Sequence, residues 1–179
     1  MHYPKVKVIN HQYSDHKVSK AKRLLKKYFS IILNSSEQKQ IKKINLKLRH
    51  NVLPKVDHKV GFLKMWNPKT KTATIWIAPN WMDNLAGGIK GGIIHELWHI
   101  KQILKGKLIP QLPKPNDHFR VLWRKSQNKK YQRFHRVYYM NKLDTSFDED
   151  YKEYLRLLKK HQPWEYEAVL AMNRHLLSS

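Results

Sequence analysis

The chain contains no cysteine and only 13 acidic residues. Without thiols, neither a disulfide framework nor a cysteine-ligated zinc site can form, so any metal ligand must be histidine, aspartate or glutamate. No apolar run reaches the roughly 18 residues that a membrane span needs. The stretch Met1 to Asn10 has no apolar signal-peptide segment. No Gly/Ser linker, internal repeat or low-complexity tract divides the chain. These absences lead us to expect a soluble protein with no membrane partner and a cytoplasmic location (host cytoplasm or virion, should the chain be viral).

What is present fits one folded unit. The chain has 179 residues, 41% hydrophobic and 11% aromatic, enough apolar material for a core and the length of a single domain. The charge is less ordinary. Against the 13 acids stand 36 lysines and arginines, a formal net charge of +23. Residues 1–50 carry net +11, residues 51–100 net +3, residues 101–140 net +10 and residues 141–179 net −1. A field this concentrated attracts polyanions. The expected partners are nucleic acid, through the basic segments 1–50 and 101–140, or an acidic protein.

Hydrophobic spacing places the elements. Val18, Ala21, Leu25, Tyr28, Phe29 and Ile32 recur at three and four residues, which predicts a helix from Ser14 to Leu33 with Ser14 as its cap. Ile44, Leu46 and Leu48 alternate with polar residues and predict a half-buried strand. Val60 to Trp66 and Thr72 to Ala78 read as two more strands, with Asn67 to Thr70 as a tight turn in an antiparallel hairpin. After the glycine-rich run Gly87 to Gly92, Ile93 to Leu104 reads as a helix stopped by Gly106. Residues 107–118, with three prolines, read as an irregular loop. Phe119 to Trp123 and Tyr131 to Tyr139 read as strands. Asp148 to Lys160 reads as a helix, and Pro163 opens a last helix to about Leu177.

One motif carries chemistry. His95-Glu96-Leu97-Trp98-His99 lies inside a predicted apolar helix. Residues four apart sit one above the other on a helix face, so His95 and His99 can present both imidazoles to one ion. Neutral imidazole suits zinc. Glu96, one residue along, can reach a water near such an ion and act as general base. A hydrolytic zinc site needs a third protein ligand and an open position. A histidine at metzincin spacing is excluded by Lys105, and one four residues after His99 by Ile103. A later carboxylate remains. Trp164-Glu165-Tyr166-Glu167-Ala168 is the best source, because a carboxylate on a helix that packs into the core is costly unless paired or ligating. Glu165 and Glu167 are two apart, roughly 200° around a helix, so only one of them can face the ion.

The sequence His95-Glu96-Leu97-x-His99-x-x-Gln102, followed by Pro163-x-Glu165-x-Glu167-Ala168, resembles the gluzincin class of zinc metallopeptidases. More narrowly, it resembles small single-domain metallopeptidases of phages and bacteria. The likeness runs loosely over Thr72 to Asn173 and nothing before Ile44 contributes to it. It implies an α+β, zincin-like domain over 1–179: a small antiparallel or mixed sheet, an N-terminal helix, an active-site helix and a C-terminal helix carrying the third ligand. A basic helix and strand would occupy 1–50 and the catalytic core 51–179. It further implies Zn2+ held by His95, His99 and Glu165, Glu96 as catalytic base, a protein or peptide substrate, and Thr72 to Ala78 as the strand that pairs with that substrate. For the oxyanion, Tyr138, Tyr139, His161 and Tyr166 are available donors. Asn173 and Glu167 are available to accept from the second nitrogen of a ligating histidine. The +23 charge is not a property of this class. It keeps a second reading open: a basic nucleic-acid-binding or virion-associated protein with a structural or degenerate zinc site.

Overall fold

In a computed structural model, the described residues are 3–10, 13–48, 66–77, 88–111, 120–124, 131–134, 151–161 and 163–177. The elements in chain order are β1 (Lys5–Asn10), α1 (Asp15–Ile32), α2 (Ser35–Gln40), β2 (Lys43–Leu48), β3 (Trp66–Asn67), β4 (Thr72–Ile77), α3 (Gly88–Leu104), β5 (Leu108–Gln111), β6 (Arg120–Arg124), β7 (Tyr131–Phe134), α4 (Tyr151–His161) and α5 (Pro163–Leu177). The class is α+β.

A four-stranded mixed sheet has the order β1-β2-β4-β3. β1, β2 and β4 run parallel, with Val8 beside Leu46 and Leu46 beside Ile75, and β3 returns antiparallel on β4. Because side chains alternate along a strand, Ile44, Leu46 and Leu48 of β2 line one face together with Ala73, Ile75 and Ile77 of β4. They join Ala21, Leu25, Phe29 and Ile32 of α1 and Ile89, Ile93, Leu97 and Ile100 of α3 in one buried cluster. Ser14 caps α1 as expected, accepting from the Lys17 amide. A second sheet, β5-β6-β7, is an antiparallel meander that starts just after α3. No helix among the described residues is long and apolar enough to cross a membrane.

Several expectations need correction. Residues 1–50 hold more than one helix and one strand. β1 and α2 are added, and α2 is opened by a capping box in which Asn34 and Glu37 exchange hydrogen bonds. The glycine run is not a prelude to the motif helix. α3 begins at Gly88, because the core burial of Ile89, Ile93 and Ile94 outweighs the roughly 1 kcal/mol that each helical glycine costs. Residues 107–118 are not wholly irregular: Leu108 to Gln111 pair with β6. Pro110 is tolerated there because β5 is an edge strand. β4 lies between β2 and the two-residue strand β3, which pairs only with Thr72 and Ala73 of β4. Most of the strand expected over Val60 to Trp66 lies outside the described residues, as do Ala78, residues 125–130, 135–139 and 148–150.

Candidate metal centre

α3 carries the motif and α5 packs across it. Leu97, Ile100 and Ile93 anchor α3 in the core, which turns the His95/His99 stripe toward α5. Gly106 ends the helix. Its φ of 64° is in the left-handed region that glycine enters without strain. The Gly106 amide then donates to the Ile103 carbonyl, and the Lys107 amide to the Gln102 carbonyl, the double closure of a Schellman motif. α5 is held by the buried residues Trp164, Ala168, Val169 and Ala171, and this packing aims Glu165 at the two histidines.

The three side chains meet. His95 Nε2 and His99 Nε2 are 3.0 Å apart. Glu165 Oε2 is 3.1 Å from His95 Nε2, and its Oε1 is 3.3 Å from His99 Nε2. Ligands about 2.05 Å from a tetrahedral ion stand about 3.3 Å from one another, so the spacing matches the donor set. The imidazoles are nearly perpendicular, at 86°, and converge at their tips. Among the described residues, His95, His99 and Glu165 form a group able to hold a metal ion. Access is one-sided: the side chains of His95 and Glu165 are 22% and 24% exposed, and that of His99 only 3%.

The electrostatics are those of a proton held where a cation fits. Burial alone would lower the pKa of His99. The adjacent Glu165 carboxylate, with smaller help from Glu96 and Gln102, overrides this and pushes it up to about 9. Burial likewise works against the Glu165 charge, but His99 and the hydrogen bonds from both histidines hold its pKa well below the usual carboxylate range. Glu96 differs. Burial raises its pKa, His95 and His99 oppose the rise, and the Glu165 charge adds to it. On the helix Glu96 lies about 100° from His95 and about 60° from His99, beside the triad and not within it.

Glu167 points elsewhere, as its 200° offset from Glu165 requires. It accepts from Gln102 Nε2 at 3.2 Å and from Lys107 Nζ at 3.4 Å. The partner of the second His99 nitrogen was not foreseen: Nδ1 lies 2.9 Å from Gln102 Oε1. Of the two acceptors expected for that role, Glu167 stands one hydrogen bond further out, and Asn173 is a half-buried residue of α5. The available signal was the spacing, since Gln102 follows His99 by three residues and so shares its face. Of the oxyanion donors, Tyr166 has Lys159 Nζ 5.8 Å from its ring centroid. Tyr138, Tyr139 and the His161 side chain lie outside what is described.

A scan against models of protein families and searches among curated proteins and solved structures found no match to this chain.

Proposed function

We propose that the protein is a zinc-dependent metallopeptidase of gluzincin type that hydrolyses peptide bonds, with a substrate that is an acidic protein or one bound near nucleic acid. The observation that carries the reading is the convergence of two histidines from α3 and one glutamate from α5 within 4.8 Å of one another, with the exposed edge on the His95–Glu165 side. His95, His99 and Glu165 would hold the ion. When bound, it would supply Lewis-acid polarisation of the scissile carbonyl and of a water molecule. Glu96 would serve as general base toward that water and then as proton donor to the leaving amine.

The charge supports a second function for the same molecule. On α1, the exposed residues include Lys20, Lys22, Arg23, Lys26 and Lys27. Lys27 of α1 and Lys90 of α3 place their ammonium groups 5.5 and 5.8 Å from the Tyr28 ring centroid. Across that ring lies His175, whose pKa is lowered by burial and then by Arg174, Lys101 and Lys90. Among the acids with described side chains, Glu37, Glu96, Glu165 and Glu167 are buried or half-buried and Asp15 is exposed. Among the described residues, Lys20, Lys22, Arg23, Lys26 and Lys27 form a basic face on α1, which would bring the site to nucleic acid. The alternative, a binding protein with a structural or degenerate zinc site, keeps this surface and drops the catalysis.

One experiment separates the two. Zinc-loaded protein is incubated with an unfolded protein such as casein, beside Glu96→Gln. Cleavage by wild type, reduced about 100-fold or more in a Glu96→Gln variant that still binds zinc, supports the enzyme. Equal traces from both remove it.

A further inference from the structure

Gln102 is 2% exposed, and its amide is fully used. Nε2 donates 3.0 Å to the Trp164 carbonyl and 3.2 Å to Glu167 Oε2, both on α5, and Oε1 faces His99 Nδ1 at 2.9 Å. This orientation is forced. A flipped amide would set its oxygen against a carbonyl and a carboxylate, three acceptors with no proton among them, and would leave a buried acceptor unsatisfied. With Oε1 fixed on Nδ1, that nitrogen must carry the hydrogen. In the neutral ring, the form that ligates a metal, the lone pair of His99 is then left on Nε2, the atom that faces His95 and Glu165. Lys107 Nζ, 3.4 Å from Glu167 Oε1, neutralises the carboxylate that orients the amide.

Resting on the metal reading above, we propose that Gln102 is a positioning residue for the metal centre: locked by Trp164 and Glu167 of α5, it fixes the ring orientation and tautomer of His99 for zinc. The same side chain ties α5, which carries Glu165, to α3, which carries both histidines. Docking of the two helices and preparation of the deepest ligand are therefore one event.

The test compares zinc affinity with fold stability. Gln102→Met keeps the length of the side chain and removes both hydrogen-bonding ends. Zinc Kd, measured by competition with a chromophoric chelator, is expected to rise about 10- to 100-fold, the usual cost of losing an outer partner of a ligating histidine. A purely structural tie would lower the metal-free melting temperature and leave the zinc affinity of the folded protein unchanged. That result overturns the proposal while leaving the metal centre standing. Zinc bound by neither protein removes the centre itself, and the proposal with it. A second measurement does not depend on the variant folding. In zinc-loaded wild type labelled with 15N-histidine, His99 should show a slowly exchanging Nδ1 proton with Nε2 as the ligating atom. An Nδ1 proton that exchanges freely, or ligation through Nδ1, overturns the proposal.

Discussion

Glu165 of α5 meets His99 of α3 across the helix interface, its Oε1 3.3 Å from the imidazole Nε2. In the metal-free protein this is an ion pair with a definite pH signature. The folded-state pKa of His99, about 9, lies above the roughly 6.5 of an unfolded histidine. Its stabilising contribution is therefore full below about pH 6.5 and is lost as the pH rises through about 9. The folded-state pKa of Glu165 is depressed, so its contribution is present above the usual carboxylate range, about 4.3, and fades as the pH falls. Melting temperatures of metal-free wild type and Glu165→Gln should differ most near pH 5–6 and converge toward pH 9. A difference that grows from pH 6 to pH 9 contradicts this pairing.

Glu37 is a second buried carboxylate among the described residues. Its Oε2 accepts from the Asn34 amide at 2.8 Å, and Lys105 and Lys101 approach at 3.8 and 4.0 Å. Lys101 Nζ also donates to the Ile32 carbonyl near the end of α1. Glu37→Ala removes half of the capping box and leaves two lysines without their carboxylate. It should lower stability by about 2 kcal/mol, read from urea denaturation. A loss below about 0.5 kcal/mol would show that the cluster contributes only what an exposed pair does.

The exposed face of α1 is expected to bind phosphate backbones without reading sequence. Affinity for duplex DNA should fall steeply with salt. In the combined variant Lys20→Gln, Arg23→Gln and Lys27→Gln, the slope of log K against log salt should drop by roughly 0.9 for each phosphate contact removed. Zinc binding should not change. An unaltered slope and affinity would assign the interaction to another part of the chain.

Much of this architecture is written in the spacing of apolar residues. α1, β2, β4 and α5 each bury one side, so the 3.6- or two-residue period of Leu25, Phe29 and Ile32, or of Ile44, Leu46 and Leu48, marks them directly. Sheet order is not local information. Nothing in Thr72 to Ile77 says that β2 runs parallel along one side of it or that β3 pairs with Thr72 and Ala73 on the other. Local composition also misled where packing outweighed it, as in the glycine-rich first turns of α3 and the proline within β5. At the site, the His95/His99 pair was legible because one helix contains both. Spacing alone could not tell Glu165 from Glu167; the resemblance favours Glu165, and the face of α5 that meets α3 agrees. The i to i+3 spacing pairs Gln102 with His99, but the two partners that lock its amide, Trp164 and Glu167, lie on α5, 62 to 65 residues away, and leave no local trace.

The central claim is that two imidazoles and one carboxylate share an ion. The direct measurement is metal content after dialysis against limiting zinc, for wild type and Glu165→Ala, with folding of both verified by circular dichroism. The account predicts about one zinc per chain in wild type and loss of it in the variant. A folded wild type that retains no zinc, or a Glu165→Ala protein that retains as much as wild type, would contradict it.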